Sequence, residues 1–221
     1  MLFRSGKPVT SVNQEGAGSE FFQAFVADIF PLSYPSAQVL AKYLGLPSSE
    51  NEVRVLDLAA GSGVWGIALA QSSEKVTVTA ADWSHVLPAT EKMVGRFELM
   101  DRFAFVSGDL QSADFGTGHN VATLGHILHS EGEARSRNLL RKTFEALAQG
   151  GTIAIAEFLV NEDRTGPVGS LFFATNMLVN TDDGDTFSFG EIRGWLMEAG
   201  FTDARLLEAP GPSPLVLATK P

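Results

Sequence analysis

Polar residues that can do chemistry recur along this 221-residue chain at spacings that suit one ligand rim. Asp57 is followed by the turn Gly61-Ser62-Gly63. Then come Asp82-Trp83, the run Gly108-Asp109-Leu110, the pair His126 and His129, and Glu157. Glycines let a backbone approach a ligand closely. A carboxylate such as Asp82 can accept from both hydroxyls of a ribose. Trp83 offers a flat face to a base, and Asp109 can accept from an exocyclic amine. Singly, each acid fits a helix N-cap or a solvated turn equally well. At consecutive strand ends, together, they favour an adenosine site. The turn Gly61-x-Gly63-x-x-Gly66 also fits a dinucleotide fingerprint, with Asp82 near the expected offset of about 20 residues. Asp57 counts against a pyrophosphate there, because a carboxylate would lie beside it. So does the late position of the turn after its strand.

The elements that must carry these residues alternate. Val53–Leu58 reads as a strand and Val64–Gln71 as a helix. Val76–Ala81 is a strand, followed by a helix through about Leu99. Phe103–Ser107 and Val121–Gly125 are strands, Ala134–Leu147 a helix, and Gly150-Gly151 a turn. Thr152–Phe158 is a strand, Pro167–Val179 and Phe189–Ala199 are helices, and Ala204–Glu208 and Leu215–Thr219 close the chain. This alternation predicts an α/β, Rossmann-like, doubly wound and mostly parallel seven-stranded sheet, with helices on both faces. Ligands of such sheets lie beyond the carboxyl ends of the strands, where all the polar residues above are expected to face one rim. Ahead of the sheet, Phe21, Phe22, Phe25, Val26, Ile29 and Phe30 have helical spacing. Pro31 and Pro35 are expected to break the chain before a second helix around Val39–Leu44.

Bulk properties narrow the partners. The net charge is −10, with no dense Lys/Arg run, which argues against nucleic acid. There is no cysteine, so disulfides, thiolate metal sites and a Cys nucleophile are excluded, in keeping with a cytoplasmic protein. No signal-peptide pattern and no apolar run of about 20 residues point to a membrane. Asp182, Asp183 and Asp185 form an acidic cluster, but a solvated loop is commoner than a metal site and no histidine accompanies it; no metal is expected.

Val55-Leu56-Asp57-Leu58-Ala59-Ala60-Gly61-Ser62-Gly63, Ala81-Asp82-Trp83, Ser107-Gly108-Asp109 and Leu147–Glu157 resemble the ordered motifs of class I S-adenosylmethionine-dependent methyltransferases. Leu124-Gly125-His126-Ile127-Leu128-His129-Ser130-Glu131 and Asn161-Glu162-Asp163-Arg164 are similar to the plant-type small-molecule O-methyltransferases, in their bacterial branch. The resemblance covers roughly residues 20 to 221. It implies S-adenosylmethionine as cofactor, with the glycine turn against its methionine part, Asp82 on the ribose and Asp109 near the adenine amine. It implies His129 as general base and Glu157 beside it. Asp185 is the nearest match to a second acid, and Met177 and Asn180 to substrate-pocket residues; His126 is a further candidate there. The chemistry is consistent: a neutral imidazole can take a phenol's proton during in-line methyl transfer, and a carboxylate on its other nitrogen fixes the tautomer.

The implied activity is methyl transfer to a hydroxyl, that of a phenol, on a small-molecule acceptor. A nicotinamide-dependent oxidoreductase is the alternative in enzyme class, and a cofactor-binding domain without turnover the non-enzymatic one. The sequence departs from the family pattern at Ser130, where Asp is frequent, and at Gly125, near a frequent lysine. The resemblance implies an N-terminal winged-helix dimerisation domain of about a hundred residues, and this sequence begins close to where that domain would end. Residues 1–48 are expected as a helical lead-in from that domain's linker, and residues 49–221 as the S-adenosylmethionine-binding domain. A homodimer is what the resemblance implies. His85 and His119 read as structural, and Trp65 and Trp195 as packing.

Overall fold

A computed structural model of the chain describes residues 8, 11, 25, 26, 28–211 and 213–221. The expected helix positions Phe21 and Phe22 lie outside these residues. The described order is α1 (Phe30–Tyr43), β1 (Val53–Leu58), α2 (Val64–Ser72), β2 (Val76–Asp82), α3 (Leu87–Arg96), β3 (Phe103–Ser107) and β4 (His119–Gly125). It continues with α4 (Leu128–Ala146), β5 (Leu147–Ala156), α5 (Val168–Asn180), α6 (Phe189–Ala199), β6 (Thr202–Leu207) and β7 (Leu215–Thr219). The seven strands form one sheet in the order β3-β2-β1-β4-β5-β7-β6. The first five pair in parallel, and β7 runs antiparallel to both β5 and β6. The strand order reverses between β1 and β4, the switch point where a doubly wound sheet opens a crevice.

Strand β1 explains how the two faces are filled. Successive side chains point to opposite faces, so Val55 joins the apolar layer beneath α1 and α2, while Leu56 and Leu58 join the layer beneath α4 and α6. Both faces being covered, the last four residues of the strand are buried, Asp57 among them. Glu157 continues the parity of Ile153 and Ile155, which lie in the α4 layer. That parity directs it toward the helix that carries His129.

Three expectations change in the structure. Pro31 does not break the chain but starts α1, and Pro35 sits inside it. A proline is tolerated in the first turn, where its missing N–H would have no partner. The tight packing of Ala37, Leu40 and Ala41 against α2 outweighs the bond lost at Pro35. Strand β5 starts at Leu147, not Thr152, with a pairing irregularity between His119 and Val121 of β4 and a left-handed Gly150. The anticipated turn at Gly150-Gly151 is thus a bulge within the strand. Helix α4 starts at Leu128 but contains Gly132 at φ 72°, ψ 174°, outside helical geometry. His129 therefore lies on a separate first turn, and the helix predicted from Ala134 is the regular part beyond the break. Among the described residues, no helix is long and apolar enough to cross a membrane.

Candidate active site

The glycine turn is held by its neighbours on both sides. Gly61 and Gly63 have φ of 54° and 73°, values that favour glycine. The Gly61 N–H donates to Asp82 Oδ2 at 2.8 Å, and Thr90 Oγ1 of α3 donates to the Gly61 carbonyl at 2.6 Å. Ser62 is buried in the turn. The Trp83 N–H donates to Asp82 Oδ1 at 2.7 Å. Each carboxylate oxygen of Asp82 has thus taken one backbone N–H and keeps a second lone pair. Burial pushes the Asp82 carboxyl up to about 6, against the two backbone bonds that favour its charge. The Trp83 ring lies 5.5 Å from that of His85.

Asp57 is placed differently from its neighbours on the rim. It shares the parity of Val55, so its side chain points under α2 and is fully buried. Its Oδ2 accepts from the Gly66 N–H at 3.0 Å and its Oδ1 from Thr123 Oγ1 at 2.7 Å. This carboxylate ties β1, β4 and α2 together. Gly66 is required there, since a Cβ would stand 2.8 Å from Val78 and 3.1 Å from Asp57 Oδ2.

Burial raises the Asp57 carboxyl from 3.8 to about 7. The folded chain then holds a proton that the unfolded chain has released. Stability is fully present below about pH 4 and falls as pH rises toward about 7. Linkage sets the upper size of that fall at about 4 kcal/mol. Asp57→Asn copies the protonated acid, donating to Thr123 and accepting from Gly66. Thermal melts should show the variant gaining on the parent between those pH values. Parallel curves would remove Asp57 as the source.

Gly108, Asp109 and Leu110 follow β3. The Gly108 N–H donates to the Asp82 carbonyl at 3.0 Å, which keeps the ends of β2 and β3 level. Asp109 Oδ1 accepts from the Gln111 N–H at 2.9 Å and from Arg135 Nη2 at 3.1 Å. Among the described residues its Oδ2 accepts no hydrogen bond. Leu110 is buried, and its carbonyl accepts from Lys142 Nζ at 2.8 Å.

His129 and Glu157 form the densest pair. Glu157 Oε2 lies 2.9 Å from His129 Nδ1, and Oε1 accepts from the His129 N–H at 3.2 Å. The carboxylate thereby grips both the ring and the backbone of one residue. Burial pushes the Glu157 carboxyl up, but the imidazole and its hydrogen bonds outweigh this and hold it below the ordinary range. The His129 side chain keeps 11% of its surface exposed. Phe173 of α5 meets its ring edge-on at 4.8 Å, and Phe158 lies 4.2 Å from Phe173.

The turn carrying His129 is fastened from the α5–α6 loop. Without a continuous helix, the His129 carbonyl accepts from the Asp185 N–H at 2.9 Å. The loop approaches so closely that a Cβ on Gly132 would stand 2.5 Å from the Asp183 carbonyl oxygen. A Cβ on Gly184 would be equally close to that of His129.

The remaining expected residues are placed as follows. Asp185 reaches His129 through its backbone. Its carboxylate instead accepts from Arg164 Nη1 at 3.0 Å and from its neighbour Thr186. Arg164 also binds Glu191 at 3.0 Å, while Glu162 accepts from Ser188 and Gly190. The Asn161–Arg164 segment thus clamps the α5–α6 loop. His126 does not share a helix with His129. It precedes α4 at φ 60°, ring to ring with Phe158 at 4.9 Å, and burial lowers its pKa. Met177 is buried, whereas Asn180 is half-buried and donates to Asn176. His119 is buried, with Nε2 at 2.9 Å from the Phe115 carbonyl. Phe158, Gly132 and Gly184 escape a reading of motifs. Gly132 alone leaves a local signal, as a glycine between two stretches of helical pattern.

No group of three or more metal-ligating side chains occurs among the described residues. The protein is 28% identical over 200 residues to a 3-hydroxy-5-methyl-1-naphthoate 3-O-methyltransferase of Streptomyces sahachiroi, covering 90% of this chain and 57% of that one. It is 29% identical over 206 residues to an L-tyrosine C(3)-methyltransferase of Streptomyces lavendulae, covering 90% of this chain and 55% of the relative. The fold matches the crystal structure of a putative O-methyltransferase from Nostoc punctiforme with a TM-score of 0.86 at 26% identity, over 97% of this chain and 64% of that one. The chain therefore spans little more than half the length of these two curated relatives. Residues 35–202 match the O-methyltransferase domain, and the chain belongs to that family.

Proposed function

We propose that the chain transfers a methyl group from S-adenosylmethionine to a hydroxyl of a small aromatic acceptor, with His129 as general base. The observation that carries this is the buried Glu157–His129 pair, set beside the Asp82 and Asp109 rim at one end of the sheet. The rim fits the cofactor chemically. Asp82 keeps a lone pair on each oxygen for a ribose diol, and Asp109 keeps Oδ2 for an exocyclic amine. The turn Gly61-Ser62-Gly63, with Trp83, Gly108 and Leu110, would complete the cradle. Asp57 serves it from beneath, by holding Gly66.

When bound, the cofactor supplies a methyl carbon on a sulfonium. Everything else falls to the chain. Glu157 keeps the proton of His129 on Nδ1, so Nε2 is free to accept the proton of the acceptor's hydroxyl. The same carboxylate stabilises the imidazolium that results. His126, kept neutral by burial, adds no charge beside it. His126, Phe158 and Phe173 offer ring faces suited to a flat acceptor, and Met177 lies one turn beyond Phe173 on α5. Asp185 acts through its backbone N–H, and Asn180 at the margin of the pocket.

Family membership disfavours the nicotinamide alternative. The wider reading keeps residues 49–221 as the cofactor domain, residues 1–48 as its lead-in, a cytoplasmic setting and a homodimer. Exposed Val168, Phe172 and Leu178 on α5 support the last of these. Calorimetry with S-adenosylhomocysteine and NAD, followed by methyl transfer to a panel of phenols, tests the proposal. Binding of S-adenosylhomocysteine and an O-methylated product are expected. NAD binding in its place would overturn the cofactor. A ring-methylated product would overturn the choice of atom, since an ionised phenol is nucleophilic at carbon too.

A further inference from the structure

Arg135 stands between the two halves of the site. Its Nη2 donates to Asp109 Oδ1 at 3.1 Å, and its Nε donates to Glu131 Oε2 at 2.7 Å. Glu131 lies two residues beyond His129, on the same isolated turn, and its side chain is only 4% exposed. Gln111 closes the circuit. Its N–H donates to Asp109 Oδ1, its Nε2 donates to Glu131 Oε2 at 2.8 Å, and Asn138 Nδ2 donates to its Oε1 at 2.7 Å.

An exposed pair four residues apart on a regular helix does little. This pair differs in three respects. It spans the break at Gly132, so it joins the base-bearing turn to the body of α4 where backbone continuity is lost. Its carboxylate is buried, so removing the guanidinium would strand a charge. Its third partner is the acid expected to face adenine. With Oδ1 of Asp109 occupied by Arg135 and Gln111, Oδ2 is the oxygen left to a ligand.

We propose that Arg135 is a positioning residue that aims Asp109 at the exocyclic amine of the cofactor's base and, through Glu131, couples that contact to the turn carrying His129. This rests on the S-adenosylmethionine reading above. A planar fork with two fixed donor directions suits the task better than a lysine's single ammonium.

The test uses the full chain and two probes, S-adenosylhomocysteine and S-inosylhomocysteine, in which the amine is replaced by a carbonyl. The wild type should prefer the amine. Arg135→Met should lose about tenfold in affinity for S-adenosylhomocysteine while binding the inosine analogue unchanged, as expected for one misdirected charge-assisted hydrogen bond. Arg135→Lys should recover part of the preference. The kcat at saturating cofactor should also fall in Arg135→Met. Glu131→Gln/Arg135→Met removes the stranded charge, so it gives a folded protein in which to read the same ratio. An unchanged ratio, or equal losses for both probes, would overturn the aiming role, and an unchanged kcat would overturn the coupling. A wild type that binds neither probe would instead bring down the cofactor reading, and this inference with it.

Discussion

Replacing His129 with alanine is expected to lower kcat for phenol methylation by roughly 10²–10⁴, the usual contribution of a positioned general base. Affinity for S-adenosylhomocysteine should hardly change, because the His129 ring makes none of the hydrogen bonds that hold Gly61, Asp82, Asp109 and Glu131. The loss should also depend on the acceptor. A phenol with a pKa near 10 needs its proton removed as it attacks, whereas an acidified phenol is already ionised at neutral pH. Methyl transfer measured across acceptors of graded acidity should therefore show the deficit shrinking as acceptor pKa falls. A deficit that is the same for every acceptor would assign His129 to packing. Full activity of the variant would remove it from the chemistry altogether.

Glu157→Gln should cost nearly as much, for a different reason. The two carboxylate oxygens accept from the His129 N–H and face its Nδ1. A glutamine must turn an NH₂ toward one of them. Facing the backbone, it sets donor against donor. Facing the ring, it makes Nδ1 the acceptor and moves the imidazole proton to Nε2, the nitrogen proposed to receive the acceptor's proton. A tautomer reversed in this way costs about 10⁴ in kcat in a serine protease triad. We expect a loss of roughly 10²–10⁴ here, with acceptor KM nearly unchanged. Nitrogen-15 shifts of the His129 ring would report the tautomer directly. A variant that keeps the proton on Nδ1 and stays active would show that Glu157 has only a packing role.

Sequence legibility followed the locality of the forces. Val53–Leu58, Phe103–Ser107 and Leu215–Thr219 are strands over the very residues expected, since strands covered on both faces or bounded by turns leave short apolar runs. Helix α6 starts and stops as predicted, with a capping box at Ser188 and Glu191 and a left-handed Gly200 at its end. The positions of Asp82, Asp109 and Glu157 followed from strand ends. The inward turn of Asp57 lies in its parity with Val55, whereas its place among the strand-end acids points to the rim. What was not legible depends on distant partners. The grip of Arg164 on Asp185, the tilted contact of Phe173 with Phe158, and the docking of the α5–α6 loop on Gly132 join segments well apart in the chain. Helix α1 departs from the expected break because its buried contacts against α2 prevail over local proline chemistry.

The break at Gly132 also sets an order of assembly. The rim from Gly61 to Asp109 comes from one continuous stretch, in which neighbouring strands and their helices can meet soon after they form. The proposed base is assembled from residues 129, 157 and 185, and closing such long loops carries an entropic cost that short ones avoid. A growing chain would thus own the Gly61 turn and the Asp82 strand end before it owns a seated imidazole, with the Asp109 side chain waiting on Arg135. The histidine becomes a fixed point only when residue 185 arrives to take its carbonyl.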